Sequence, residues 1–217
     1  MDNHPINDIY SNLDVKGVKS LIFDIGGLIL DDSGENLQQK LNLSEQRKGE
    51  LETILYNDPR WYEVMTGRMC CEDYMHALIR EHPNFTHELE FSLGMRYFAE
   101  SMPLHQPNIN LLKSLHETGK YQMYWLSNMQ DTEYQFLERQ GILDLLDGGA
   151  YSCIEHCKKP ELEFYQALFE RYQLNPRECV FFDDKARNLD AGEQLGMRGE
   201  LVPKISALER ILKKYIK

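Results

Sequence analysis

The sequence predicts an α/β protein: a doubly wound parallel sheet with a helical bundle inserted after its first strand. Three observations carry this reading. Leu21-Ile22-Phe23 is an apolar run that stops on Asp24 and, after Ile25, meets Gly26 and Gly27. Open α/β sheets place their chemistry at the carboxyl ends of buried strands, and glycines there let the backbone approach a ligand. From Leu104 onward, strand-like apolar runs alternate with helical periods, which is the mark of parallel strands joined by right-handed crossovers. Between these regions, from about Ser33 to Met102, only helical periods occur.

In chain order, Lys19 to Phe23 reads as the first strand. Ser44 is placed to cap a helix running to Tyr56, which Asp58-Pro59 breaks. Trp61 to Met65 adds a short turn before Gly67. Glu72 to Glu81 carries Tyr74, Ala77 and Leu78 on one stripe, and Thr86 is placed to cap a helix whose Leu89, Leu93, Tyr97 and Phe98 share a face. The remainder reads as helix Pro107 to Glu117, strand Gln122 to Leu126, helix Thr132 to Gln140 closed near Gly141, and strand Ala150 to Ser152. Helix Glu161 to Tyr172, strand Cys179 to Phe182, helix Ala186 to Leu195, strand Glu200 to Val202 and helix Ile205 to Lys217 complete it. The predicted division is an N-terminal arm (1–16), a core (17–32 and 103–217) and a helical cap (33–102).

Composition narrows the function. A chain of 217 residues, 42% hydrophobic and 11% aromatic, can bury one sizeable core and a smaller module. Its 24 basic and 35 acidic residues give a net charge of -11, which disfavours nucleic acid and anionic membrane as partners. A phosphorylated ligand would meet the same repulsion, so its site must supply local positive charge or a cation. The N-terminal residues are polar and interrupted by Pro5, and no run has the length of a membrane span. Five cysteines form no even framework, so reduced thiols and a cytoplasmic location are expected. Cys153, His156 and Cys157 lack a second ligand pair at zinc-like spacing and are not read as a metal site.

Three strands end in polar groups: Phe23-Asp24, Leu126-Ser127-Asn128 and Phe182-Asp183-Asp184. Neighbouring parallel strands bring such ends to one crevice. Asp24 is the candidate nucleophile. The acid pair beside it points to a hard cation, and magnesium prefers carboxylate, carbonyl and water oxygens. Lys158-Lys159-Pro160, just before a helix, offers an ammonium to neutralise a phosphate and the nucleophile together. Ser127 and Asn128 are placed to donate to phosphoryl oxygens.

These four motifs in this order resemble the haloacid dehalogenase superfamily of aspartate-nucleophile hydrolases. Phe23-Asp24-Ile25-Gly26-Gly27 resembles its first motif, Leu126-Ser127-Asn128 its second, Lys159-Pro160 its third, and Phe182-Asp183-Asp184 with Asn188 its fourth. The nearest pattern is the subgroup of the soluble epoxide hydrolase phosphatase domain and glucose-1-phosphate phosphatases. The resemblance implies a Rossmann-like core with a type 1 helical cap and a magnesium-dependent phosphatase of small, sugar phosphate-like metabolites. It also implies an aspartyl-phosphate on Asp24, with magnesium held by Asp24, the Gly26 carbonyl and Asp184, and with Asp183 close by. Ser127, Asn128 and Gly27 would meet the phosphoryl group, Lys159 would stabilise its charge, and Asn188 would steady the metal-side loop. A monomer or homodimer is expected.

One position departs from the pattern. Most phosphatases of the superfamily carry at position 26 an aspartate that protonates the leaving oxygen, a role worth roughly 10² to 10⁴ in rate. Here it is Gly26, which keeps only a carbonyl. Asp31 and Asp32 are nearby substitutes, though loop acids are ordinarily solvated. In the cap, Trp61 and Arg68 are the candidate substrate contacts, Arg68 for a second anionic group. Two alternatives stand beside the phosphatase: a metal-free 2-haloacid dehalogenase, and a catalytically weak binding or regulatory protein.

Overall fold

A computed structural model describes residues 16–31, 40–94 and 102–216. Five strands form one parallel sheet: β1 (Ser20–Phe23), β2 (Gln122–Ser127), β3 (Gly149–Tyr151), β4 (Cys179–Asp183) and β5 (Arg198–Leu201). Their spatial order is β3-β2-β1-β4-β5, so the chain winds outward on one side of β1 and then returns to build the other. The switch falls between β1 and β4, where a crevice opens beyond the strand ends. Phe23 pairs in register with Trp125 on β2 and Phe182 on β4, which brings the residues following these three positions to one level.

Strand residues alternate between two buried clusters because successive side chains point to opposite sheet faces. Leu21, Phe23, Met123, Trp125, Val180 and Phe182 face one way, into a cluster with α5 (Gln106–Glu117) and α10 (Leu208–Ile216). Ile22, Tyr124, Leu126 and Phe181 face the other way, against α8 (Leu162–Tyr172) and α9 (Ala186–Gln194). Covering both faces explains why these strands are continuously apolar until their final residues. Each fully buried large side chain here contributes about 1.5–3 kcal/mol.

Between β1 and β2 lie α1 (Glu45–Tyr56), α2 (Arg60–Met65), α3 (Cys71–Glu81) and α4 (Thr86–Gly94), which share a third cluster. Ser44 caps α1 as expected, its hydroxyl accepting from the Arg47 N–H at 3.2 Å. Leu51 and Leu55 of α1 meet Tyr74, Met75 and Leu78 of α3 in that cluster. Thr86 is not the cap that its sequence position predicts. A short 3-10 turn (Pro83–Phe85) runs directly into α4, and the Thr86 hydroxyl donates back to Pro83 O at 3.0 Å. Leu89 is buried, while Tyr97 and Phe98 lie outside the described residues.

Several boundaries shift by one or two residues. Trp61 to Met65 belongs to helix α2, and Ser152 opens the one-turn helix α7 (Ser152–Glu155) after α6 (Asp131–Arg139) instead of closing β3. β5 starts at Arg198, and a 3-10 turn (Ile205–Ala207) precedes α10. The Ser152 hydroxyl bonds to Met65 O at 2.6 Å and Met129 O at 3.1 Å, pinning α7 to the end of α2. Gly67, at φ 64°, lies so close that a Cβ would overlap the Cys153 carbonyl. All five cysteines are free thiols, and among the described residues no helix is long and apolar enough to cross a membrane.

Candidate active site

Asp24 follows the last residue of β1 and is 4% exposed. Its Oδ1 accepts from the Ile25 N–H and from Ser127 Oγ, both at 2.7 Å, and Lys159 Nζ lies 2.7 Å from its Oδ2. The same ammonium reaches Asp183 Oδ2 at 2.8 Å. Asp183 also accepts from Asn188 Nδ2 at 3.0 Å and from the Lys185 N–H at 2.7 Å. Four segments distant in sequence thus converge because β1, β2 and β4 are adjacent and their ends are level.

One lysine serving two buried carboxylates leaves their charge unbalanced. Burial pushes the Asp24 carboxyl up to about 7, with Lys159 opposing and Asp183 adding to the rise. Burial acts on Asp183 in the same direction, but Lys159, the Lys185 N–H and Asn188 outweigh it and hold this acid below the usual range.

Asp184 turns from the same strand end, and one oxygen each of Asp24, Asp183 and Asp184 lies within 4.8 Å of the others. Gly27 makes room for it: at φ 69°, a Cβ on Gly27 would sit 2.9 Å from Asp184 Cγ. A left-handed residue without a side chain is therefore required there. Three oxygen donors with excess negative charge suit a hard divalent ion such as magnesium, and Gly26 lines the same cavity as Asp24.

The cavity holds about 320 Å³. Asp24, Lys159 and Asn188 lie among its walls, and Tyr56, Trp61 and Met65 line it from α1 and α2. Trp61 is also packed edge-on against Tyr56 at 5.3 Å and tilted against Tyr74 at 5.8 Å, so its ring is held in place.

Two side chains that sequence reasoning aimed at substrate, and the glycine at position 27, have other neighbours. Asn128 Nδ2 donates to Lys159 O at 3.0 Å while its Oδ1 accepts from the Lys159 N–H at 2.8 Å. Asn188 is occupied by Asp183, and Gly27 packs under Asp184. Arg68 is likewise engaged elsewhere. It does not line the cavity; its guanidinium donates to His156 O at 2.8 Å and lies 5.7 Å from the Tyr62 ring. The His156 ring in turn donates from Nδ1 to Thr66 O at 2.8 Å. Asp31 is likewise absent from the cavity wall, and Asp32 lies outside the described residues. Sequence reasoning missed Lys185, Arg187, Gln130, Glu133 and Met102, and gave Lys158 no role of its own. The signal for Lys185 and Arg187 was their place directly after the Asp183-Asp184 pair.

A doubly wound parallel sheet with an acid cluster and a shared lysine at its switch point places this crevice among the ligand sites of open α/β enzymes. The chain belongs to the haloacid dehalogenase-like hydrolase family, whose sequence profile matches residues 18–196. Sesquiterpene phosphatase astK of Aspergillus oryzae is 27% identical over 185 residues, covering 83% of this chain and 88% of that protein. The magnesium complex of the HAD family enzyme bt-2542 of Bacteroides thetaiotaomicron aligns with TM-score 0.69 at 21% identity, covering 90% of this chain and all of that one (100%). A dehalogenase aligns with TM-score 0.66 at 16% identity, covering 91% of this chain and 98% of that one. At such identity the likeness establishes the fold, and one fold hosts several reactions, so the reaction must be argued from the site.

Proposed function

We propose that the protein is a magnesium-dependent phosphatase of small phosphorylated metabolites, acting through an aspartyl-phosphate on Asp24. The carrying observation is the Asp24 carboxylate held at 2.7 Å by both Ser127 and Lys159, with two further acids within 4.8 Å. Asp24 Oδ attacks phosphorus in line, the bond to the leaving oxygen breaks, and that oxygen takes a proton from solvent or a cavity group. Water then cleaves the acyl phosphate, releasing inorganic phosphate and restoring Asp24. Lys159 offsets the charge of nucleophile and phosphoryl group, and Ser127 turns its hydroxyl from Asp24 to a phosphoryl oxygen. A magnesium ion held by Asp24, Asp184 and the Gly26 carbonyl would supply Lewis-acid stabilisation of the transferring group. Asp183, already occupied by Lys159 and Asn188, acts from beside that shell.

Helices α1 to α4 serve in this reading as a cap, with Tyr56, Trp61 and Met65 facing the organic part of the substrate. Aromatic and thioether groups accept the apolar face of a sugar ring or a hydrocarbon alike. Support comes also from the astK relative, named a sesquiterpene phosphatase, and from bt-2542, solved with magnesium and inorganic phosphate. The dehalogenase reading fits less well, since two more carboxylates beside a carboxylate nucleophile call for a cation. One observation favours a weakly catalytic binding protein: Gly26 in place of an acid.

The test is hydrolysis of an aryl phosphate and of a panel of sugar and isoprenoid phosphates, with and without magnesium, beside Asp24→Asn. Magnesium-dependent turnover abolished by Asp24→Asn is expected. Turnover retained in that variant excludes Asp24 as nucleophile, metal-independent chloride release from 2-haloacids favours the dehalogenase, and magnesium binding without any turnover favours the binding protein.

A further inference from the structure

We propose that Lys158 and Arg187 form a second anion subsite at the cavity, so that the substrate carries an anionic group besides the phosphoryl group attacked by Asp24. This inference rests on the phosphatase reading and narrows its substrate class. Four cations line the cavity: Lys158, Lys159, Lys185 and Arg187. Two of them have anionic partners. Lys159 bridges Asp24 and Asp183, and Lys185 Nζ lies 3.6 Å from Asp184. The other two do not. Among the described residues the guanidinium of the exposed Arg187 makes no hydrogen bond or ion pair, and Lys158 Nζ has no carboxylate within 4.0 Å.

Lys158 is half-buried, with its ammonium 4.9 Å from the Tyr62 ring centroid. The carboxylate acting on it is Glu161, whose Oε2 already accepts from Tyr62 OH at 3.2 Å and from the Lys158 N–H at 3.4 Å; Glu133 lines the same cavity. Burial and the Arg187 charge together hold the Lys158 ammonium below the ordinary lysine range, with Glu161 opposing them. Two like charges facing one cavity raise its energy unless an anion comes between them. A chain of net charge -11 gathers little positive charge by chance, so this pair is notable where the phosphoryl end is already served by Lys159. The ligand that fits is a small organic phosphate with a second phosphate or a carboxylate, its body lying along Trp61 and Met65. Arg68, expected to fill this role, is committed to His156 O instead.

The experiment measures binding by calorimetry at fixed free magnesium, using three ligands of equal backbone length: propylphosphonate, 3-phosphonopropionate and 1,2-ethylenediphosphonate. The second and third arms separate a carboxylate from a phosphate as the second group. The intact protein is expected to bind at least one two-anion ligand tenfold or more tightly than propylphosphonate. Arg187→Gln and Lys158→Gln should each erase most of that preference, and Arg187→Lys should keep most of it. A melting curve confirms that each variant is folded. Equal affinity for all three ligands, no binding of any, or a variant that weakens all three by the same factor would overturn the subsite; the last outcome would make the pair a general electrostatic guide. A two-anion preference in a protein without aryl phosphatase activity would sink the phosphatase reading and leave the subsite standing.

Discussion

Asn128 and Lys159 clasp each other through two reciprocal hydrogen bonds, the Asn128 amide donating to the Lys159 carbonyl and accepting from the Lys159 N–H. The second strand end therefore fixes the backbone from which the lysine reaches Asp24 and Asp183. We expect Asn128→Ala to lower kcat tenfold or more with a smaller change in KM, because the lysine loses its bearing while the substrate groups remain. Loss of the two bonds should also cost about 1–3 kcal/mol in urea unfolding. A larger effect on KM than on kcat would return Asn128 to direct substrate contact.

Lys159→Ala leaves Asp24 and Asp183 buried without their shared cation. Breaking such a pair typically costs about 3–5 kcal/mol. If the acid cluster holds magnesium as proposed, the ion should recover part of that loss, because a ligand of the folded state alone stabilises it. The check is thermal melting with and without millimolar magnesium. A variant whose Tm gains no more from magnesium than the parent protein gains would show that the ion does not neutralise this cluster.

Gly27→Ala introduces a Cβ where Asp184 Cγ is 2.9 Å away and the backbone sits at φ 69°. The expected result is a loss of magnesium affinity of tenfold or more by calorimetry, since Asp184 must swing aside. If affinity holds while only stability falls, Gly27 serves the turn and not the acid.

The fold was legible because its strands are buried on both faces, which writes continuous apolar runs such as Leu21-Ile22-Phe23 ended by a polar residue. Register then does what sequence spacing alone could not, bringing Asp24 and Asp183 level across β1 and β4 with Ser127 one residue further along β2. Other side chains are set by contacts between segments far apart in sequence: Asn128 turns to the Lys159 backbone and Arg68 to the His156 carbonyl. No local period encodes such contacts. Thr86 was misread because a hydroxyl can equally donate backward to a carbonyl as accept from a helix N–H.

Acid stability should carry a signature from the helical block. Arg60 bonds Asp58 through Nε at 2.9 Å and holds its carboxyl below the usual range, chiefly through that side-chain bond. A depressed folded pKa stabilises above the unfolded value of about 3.8 and is lost as pH falls through the folded one. The pair is partly exposed, so the contribution is no more than about 1 kcal/mol. Asp58→Asn should therefore flatten the decline in stability below pH 4 while lowering stability slightly at pH 7. An unchanged acid limb would show that other carboxylates dominate it.

Gly26 sets the last expectation. It lines the cavity beside Asp24, and it is not among the glycines held at positive φ, so its backbone can carry an aspartate without left-handed strain. An aryl phosphate departs without much help from a proton donor, whereas an alkyl phosphate needs one. Gly26→Asp should therefore raise kcat for an alkyl phosphate at least tenfold while changing aryl phosphate turnover by less than threefold. Equal effects on both substrates would mean that another cavity group already delivers the proton. Glu133 is then the acid to replace next, because it is the remaining carboxylate on the cavity wall that neither the metal cluster nor Lys159 employs.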